Sequence, residues 1–200
     1  MSELTELYGE ITVCQRCILA QGRTKAVPGE GPEDATLMFI GEAPGFHEDR
    51  QGRPFVGAAG KFLEELLGSI DLSREQVYIC NVIKCRPPGN RDPSSAEIEA
   101  CHPYLDRQIE LINPKMIVTL GRFSMAPYFP KVSISRIHGQ PKRMGGRIYY
   151  PMFHPAAALH QPKYRAAIEE DMLKIPQLLA EAEQMADEEP PPQAEQLSLF

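Results

Sequence analysis

Residues 36–45, Thr36-Leu37-Met38-Phe39-Ile40-Gly41-Glu42-Ala43-Pro44-Gly45, decide how the rest of the chain is read. The first five are apolar or β-branched with no polar alternation, the pattern of a short strand buried on both faces. The run then breaks into a Gly- and Pro-containing turn that carries one carboxylate, Glu42. Three more such runs follow: Val77-Tyr78-Ile79-Cys80-Asn81-Val82-Ile83, Lys115-Met116-Ile117-Val118-Thr119-Leu120-Gly121 and Ile148-Tyr149-Tyr150-Pro151-Met152-Phe153. Proline in the last of these predicts an edge position. Between the strands the period changes. Residues 59–68 place Phe62, Leu63, Leu66 and Leu67 at helical spacing. Asp92-Pro93-Ser94-Ser95 followed by Glu97 marks a helix start, with Ile98, Cys101, Leu105 and Ile109 as its apolar stripe. A helix from about 163 to 182 closes the domain.

Strands alternating with helices predict an α/β fold, a three-layer α/β/α sandwich around a central four-stranded, mainly parallel sheet. Ligands in such folds sit beyond the carboxyl ends of the strands. Three of the four strands end in polar residues there: Glu42, Asn81 and His154. Each of them alone also reads as a cap or loop residue; their convergence on one edge is what points to a site.

The composition agrees with one folded domain. Of 200 residues, 42% are hydrophobic and 24% charged, which excludes wholesale disorder and collagen-like sequence. No apolar run approaches the ~18 residues of a membrane span, and Met1-Ser2-Glu3-Leu4-Thr5-Glu6 lacks a secretory signal. A cytoplasmic protein with no membrane partner is expected. The net charge of −6 is misleading, because residues 183–200 hold five acids and no Lys or Arg. Residues 1–182 are near neutral, and residues 84–147 hold eleven Lys and Arg against five Asp and Glu. That distribution is compatible with a nucleic-acid partner. The expected organisation is a domain over 1–182 and a disordered acidic, Pro-rich tail over 183–200.

Five cysteines in a cytosolic chain point to metal binding or catalysis before disulfides. Cys14 and Cys17 form a C-x-x-C pair, Cys85 lies in Lys84-Cys85-Arg86-Pro87-Pro88, and Cys101 falls on the predicted helix. Cys80, inside a strand, reads as a small core hydrophobe. Four thiolates from three segments suit either a tetrahedral zinc or an iron–sulfur cluster, and spacing alone leaves both open.

Gly41-Glu42-Ala43-Pro44-Gly45, Pro54-Phe55-Val56-Gly57, Asn81 with Lys84-Cys85-Arg86-Pro87-Pro88, and Phe153-His154-Pro155-Ala156, in that order and with the four cysteines, resemble the family 4 uracil-DNA glycosylases. These form the iron–sulfur branch of the uracil-DNA glycosylase superfamily, and the resemblance spans roughly residues 10–180. It implies hydrolysis of the N-glycosidic bond of uracil in single- or double-stranded DNA, leaving an abasic site, by a monomeric enzyme. It further implies a 4Fe-4S cluster on Cys14, Cys17, Cys85 and Cys101.

In that frame Phe55 stacks on the extruded base and Asn81 reads uracil N3–H and O4. His154 stabilises the departing anion at O2, and Gly41, Ala43 and Gly45 let the turn approach the base. Glu42 aligns the water or balances the sugar cation, because Ala43 stands where other branches have an aspartate. A related branch captures DNA through a histidine in the loop between the third and fourth cysteines; here no histidine precedes Cys101, so turnover is expected. Relatives insert a leucine four residues after the histidine; position 158 is alanine, so either Leu159 serves as the wedge from a shifted loop or the wedge is weaker. Lys84, Arg86, Arg91, Arg136, Lys142 and Arg143 are the candidate phosphate contacts, with Arg86 and Arg91 foremost. His102 and His138 are read as surface or loop residues.

The last five residues, Gln196-Leu197-Ser198-Leu199-Phe200, are similar to the bacterial sliding-clamp binding motif, with Leu197, Leu199 and Phe200 as anchors and Gln196 fixing orientation. The other readings are a glycosylase for a wider range of deaminated bases, a non-catalytic iron–sulfur DNA-binding module, and a zinc-stabilised interaction domain.

Overall fold

A computed structural model describes residues 2–188. Strands β1 (Leu37–Gly41), β2 (Tyr78–Asn81), β3 (Met116–Leu120), β4 (Lys142–Met144) and β5 (Arg147–Met152) form one sheet. Their order is β2-β1-β3-β5-β4, parallel except for the β4–β5 pair. The helices are α1 (Glu3–Val13), α2 (Leu19–Gly22), α3 (Phe46–Gln51), α4 (Ala58–Gly68), α5 (Ser95–Ile112), α6 (Arg122–Met125), α7 (Ile134–Ile137), α8 (Pro155–His160), α9 (Lys163–Met172) and α10 (Ile175–Glu188).

Successive strand side chains point to opposite faces, and that alternation builds the three layers. Leu37, Phe39, Ile79, Val118 and Tyr150 face one side, where Phe62, Leu63 and Leu67 of α4, Ile168 and Met172 of α9 and Ile175 of α10 cover them. Met38, Ile40, Tyr78, Cys80 and Ile117 face the other, under Leu4, Leu7 and Ile11 of α1 and Tyr104, Leu105 and Ile109 of α5. Helix α5 begins as its sequence predicts, with a capping box between Ser94 and Glu97.

The sheet has five strands where four were expected. Lys142-Arg143-Met144 is short and carries no apolar alternation, so it offers no strand signal. It is made a strand by Gly145 and Gly146, whose φ of 59° and 66° supply the tight hairpin back into β5. Strand β5 is consequently interior in the sheet order. Pro151 is tolerated because β4 pairs only with residues 147–149, and the Gly139 N–H donates to the Pro151 carbonyl at 2.9 Å.

The closing helix is two helices, α9 and α10, interrupted after Met172. The second runs to Glu188, six residues past the expected boundary at 182, so the first part of the expected disordered tail is helical. Helix α1, capped by Ser2 accepting from the Thr5 N–H at 3.2 Å, was not expected from the sequence. Gln196, Leu197, Leu199 and Phe200 lie outside the described residues. No described helix is long and apolar enough to cross a membrane.

The chain crosses from β2 back over β1 to β3, so the order of connection reverses beside β1. A crevice at the carboxyl ends opens at such a reversal. Gly41 and Asn81 end neighbouring strands in register, and His154 follows β5 as the N-cap of α8.

Candidate active site

A cleft of about 510 Å³ lies at that edge, and Glu42, Ala43, Gly45, Phe55, Asn81, Arg91 and His154 all line it. Gly41 lies behind two of these residues, outside the lining itself. A Cβ there would lie 2.4 Å from Asn81 Oδ1 and 2.7 Å from the Phe55 ring, so only glycine lets these two side chains meet.

Phe55 is held in a left-handed backbone conformation, φ 50°, unusual for a bulky residue and costing roughly 1–3 kcal/mol. Three contacts enforce it. The buried Arg74 guanidinium donates to the carbonyls of Pro54 at 2.6 Å and Phe55 at 2.7 Å. Glu48 Oε1 accepts the N–H groups of Val56 at 2.9 Å and Gly57 at 2.8 Å. Gly60 permits α4 to approach, since a Cβ on it would lie 1.9 Å from the Phe55 carbonyl oxygen. The ring then lies near-parallel to the His154 imidazole, centroids 5.5 Å apart at 26°. Arg74 and Glu48 were not singled out in the sequence, because both act on backbone atoms that only the fold brings near.

Asn81 is 2% exposed, and its Oδ1 has no hydrogen-bond partner among the described residues. An unmet buried acceptor costs about 1–3 kcal/mol, which a ligand N–H can recover. Lys84 lies beneath it, fully buried: its ammonium donates to the Asn81 carbonyl at 2.7 Å and to Gln108 Oε1 at 2.6 Å. Gln108 in turn donates to the Tyr78 hydroxyl at 2.8 Å, which pairs with Tyr8 at 2.6 Å. Lys84 is therefore a core residue and not a phosphate contact. Its basic character marked it wrongly because sequence does not show which way a strand-end side chain turns.

His154 Nδ1 accepts the Ala156 N–H at 3.1 Å, which fixes the neutral tautomer with its proton on Nε2. Removal from water lowers its pKa to about 4, and the nearby Glu48 carboxylate only partly opposes this. Gly121, at φ 91°, passes directly behind the ring's Cβ; a side chain there would meet it at 3.2 Å. The site thus holds a fixed, uncharged N–H donor. The Glu42 carboxyl is held above its usual range, by burial first and then by the Asp92 carboxylate, with Arg122 opposing.

Cys14, Cys17, Cys85 and Cys101 line a second, small cavity together, while Cys80 stays apart in the core. Among the described residues no three potential ligands are close enough to hold a single metal ion. Donors nonetheless face the sulfurs: the Arg16 N–H to Cys14 at 3.4 Å, the Arg23 guanidinium to Cys85 at 3.1 Å and the Lys84 N–H to Cys101 at 3.3 Å. Such donors suit thiolates. Without a metal, burial pushes the Cys101 thiol up to about 11. Four cysteines around one cavity fit a metal centre that takes one sulfur from each of them.

The remaining expectations divide. Ala158 packs against the core, whereas Leu159 is 49% exposed on α8. Arg86 lies outside the cleft lining, its Nε donating to Asn90 Oδ1 at 2.7 Å. Arg91 is at the rim but is engaged in a bidentate pair with the buried Glu97 at 2.6 and 2.9 Å. Arg143 pairs with Glu181, Lys142 donates to the Tyr128 carbonyl at 2.8 Å, and Arg136 is exposed. His102 pairs with Asp106 at the surface. His138 is more than a loop residue: it pairs at 2.7 Å with the buried Asp171 and packs 4.5 Å from the Phe153 ring.

Residues 28–174 match the family described as the Uracil DNA glycosylase superfamily. The chain is 50% identical to a type-4 uracil-DNA glycosylase of Sulfurisphaera tokodaii over 188 residues, covering 89% of this chain and 86% of that protein. It is 47% identical to a type-4 uracil-DNA glycosylase of Archaeoglobus fulgidus over 187 residues, covering 89% and 94%. A type-5 uracil-DNA glycosylase of Thermus thermophilus is 32% identical over 143 residues, covering 64% of each chain.

The geometry at His154 sets a pH signature. With its pKa lowered to about 4 from the usual 6.5, the folded ring stays neutral down to about pH 4, while the unfolded chain already protonates near 6.5. Stability from this group therefore declines as pH falls from 6.5 toward 4. ¹⁵N NMR of labelled histidine is expected to show His154 as the Nε2–H tautomer at pH 5; an imidazolium signal there contradicts this site geometry.

Proposed function

The chain belongs to the type-4 branch of the uracil-DNA glycosylase superfamily, and from that membership we propose how its own residues divide the work of uracil excision. The enzyme hydrolyses the N-glycosidic bond of uracil in DNA, in DNA repair. The single observation that supports the assignment of roles is the convergence of Phe55, Asn81 and His154 on one cleft at the sheet edge.

An extruded uracil stacks on the Phe55 ring, worth roughly 1–3 kcal/mol. The unmatched Asn81 Oδ1 accepts from uracil N3–H while the amide N–H donates to O4. Cytosine presents the opposite pattern and leaves buried polar groups unpaired, at about 1–3 kcal/mol each. As the bond to the sugar breaks, negative charge gathers on the base. His154 Nε2–H, preset by the Ala156 contact, donates to O2 and stabilises that charge without giving up its proton. Backbone amides of the Gly41–Gly45 turn add to the same field. Glu42 orients the attacking water or balances the developing sugar cation. Since departure of the base leads this reaction, Glu42 contributes less than His154.

Cys14, Cys17, Cys85 and Cys101 would hold a 4Fe-4S cluster, which supplies a rigid cross-link between the N-terminal segment and the loop after β2. Leu159 fills the gap left by the everted base, and two arginines approach phosphates: Arg86 from just outside the cleft, and Arg91 at its rim with the part of its guanidinium that the Glu97 pair leaves exposed. We take the enzyme to act as a monomer in the cytoplasm. Its terminal Gln196, Leu197, Leu199 and Phe200 bind a sliding clamp.

A gel assay on oligonucleotides containing uracil, cytosine, hypoxanthine or xanthine tests the roles. Wild type is expected to release uracil, and His154→Ala to be slower by about 10²- to 10³-fold. Asn81→Asp is expected to move preference toward cytosine. An Asn81→Asp enzyme that keeps its uracil preference contradicts the reading of base identity by the amide. Deleting residues 196–200 is expected to abolish clamp pull-down while sparing excision on short oligonucleotides; unchanged pull-down removes the clamp proposal.

A further inference from the structure

Phe46 opens α3 on the lining of the cleft and is 45% exposed, its ring touching His47 edge-on at 5.4 Å between centroids. The guanidinium carbons of Arg50 and Arg86 lie 5.4 Å and 5.2 Å from the centre of its ring. These two cations differ from the other arginines near the cleft. Arg53, Arg74, Arg91 and Arg122 are each paired with a carboxylate, whereas Arg50 and Arg86 have no acidic partner among the described residues. Arg86 is held in place through Asn90, itself on the cleft lining.

An exposed aromatic ring flanked by cations that no carboxylate neutralises is the composition of a single-strand nucleic-acid site. The ring takes a base or sugar face, and the guanidiniums take the phosphate. We propose that Phe46, Arg50 and Arg86 form a subsite for the nucleotide next to the everted one, on the damaged strand. The proposal rests on the glycosylase reading above and adds a contact that the uracil pocket itself does not make. It would give the enzyme purchase on unpaired DNA, where no second strand contributes.

Full-length protein is titrated, by fluorescence anisotropy, into a single-stranded oligonucleotide carrying a non-hydrolysable 2′-fluoro-deoxyuridine. Phe46→Ala is expected to weaken binding by about 5- to 100-fold, with Phe46→Trp restoring it. Arg50→Gln and Arg86→Gln are each expected to lower the slope of log Kd against log salt by about 0.7. On cleavable substrates the Phe46→Ala deficit appears in KM, and it disappears when the flanking nucleotide on one side of the uracil is removed. Binding by Phe46→Ala within twofold of wild type, or a deficit that survives removal of the flanking nucleotides on both sides, overturns the subsite. Wild-type protein that releases no uracil overturns the glycosylase reading instead, so the two failures are distinct.

Discussion

The left-handed backbone at Phe55 is the constraint on which the cleft depends. A phenylalanine does not adopt φ 50° unless its surroundings compel it. Here Arg74 anchors the carbonyls on one side, Glu48 gathers the following N–H groups on the other, and Gly60 lets α4 close beneath. The result is an aromatic face set over Gly41, beside Asn81 and near-parallel to His154. Each partner is fixed through backbone or buried atoms, so the three side chains meet in a geometry that exists before any ligand arrives. Preset donors of that kind are what make electrostatic stabilisation effective, since nothing has to reorganise as charge develops.

A second set of buried contacts ties this edge to the cysteine cavity. Lys84 donates its side chain to the Asn81 carbonyl and its backbone N–H to Cys101, and its ammonium continues through Gln108 and Tyr78 to Tyr8 on α1. The segment that carries the cysteines and the strand that carries Asn81 are therefore parts of one polar network. Buried networks of this sort are stabilising only when every member is satisfied.

Much of this was legible in the residues themselves. Continuous apolar runs ending in Glu42, Asn81 and His154 located the parallel sheet and the edge at which the cleft opens, and Ser94 with Glu97 located the start of α5. What escaped had physical reasons. Lys142-Arg143-Met144 becomes a strand only because Gly145-Gly146 turns it back onto β5; its own pattern is that of a basic loop. Lys84 sits in a basic motif, yet its side chain turns inward to backbone and amide acceptors. Arg74 and Glu48 lie 19 and 8 positions from the carbonyl and N–H groups they hold, so spacing carried no sign of them. Ala158 and Leu159 differ in the same way: one step along α8 turns the side chain from the core to solvent, which the alanine–leucine order alone does not show.

On the proposed reading this preset trio receives the base by its Watson–Crick edge and its O2 atom. A crystal structure of the protein with free uracil tests it most directly. The ring is expected on Phe55, with N3 and O4 within hydrogen-bond distance of the Asn81 amide and O2 facing His154 Nε2. Uracil bound elsewhere, or bound in the cleft with O2 turned away from His154, would contradict it.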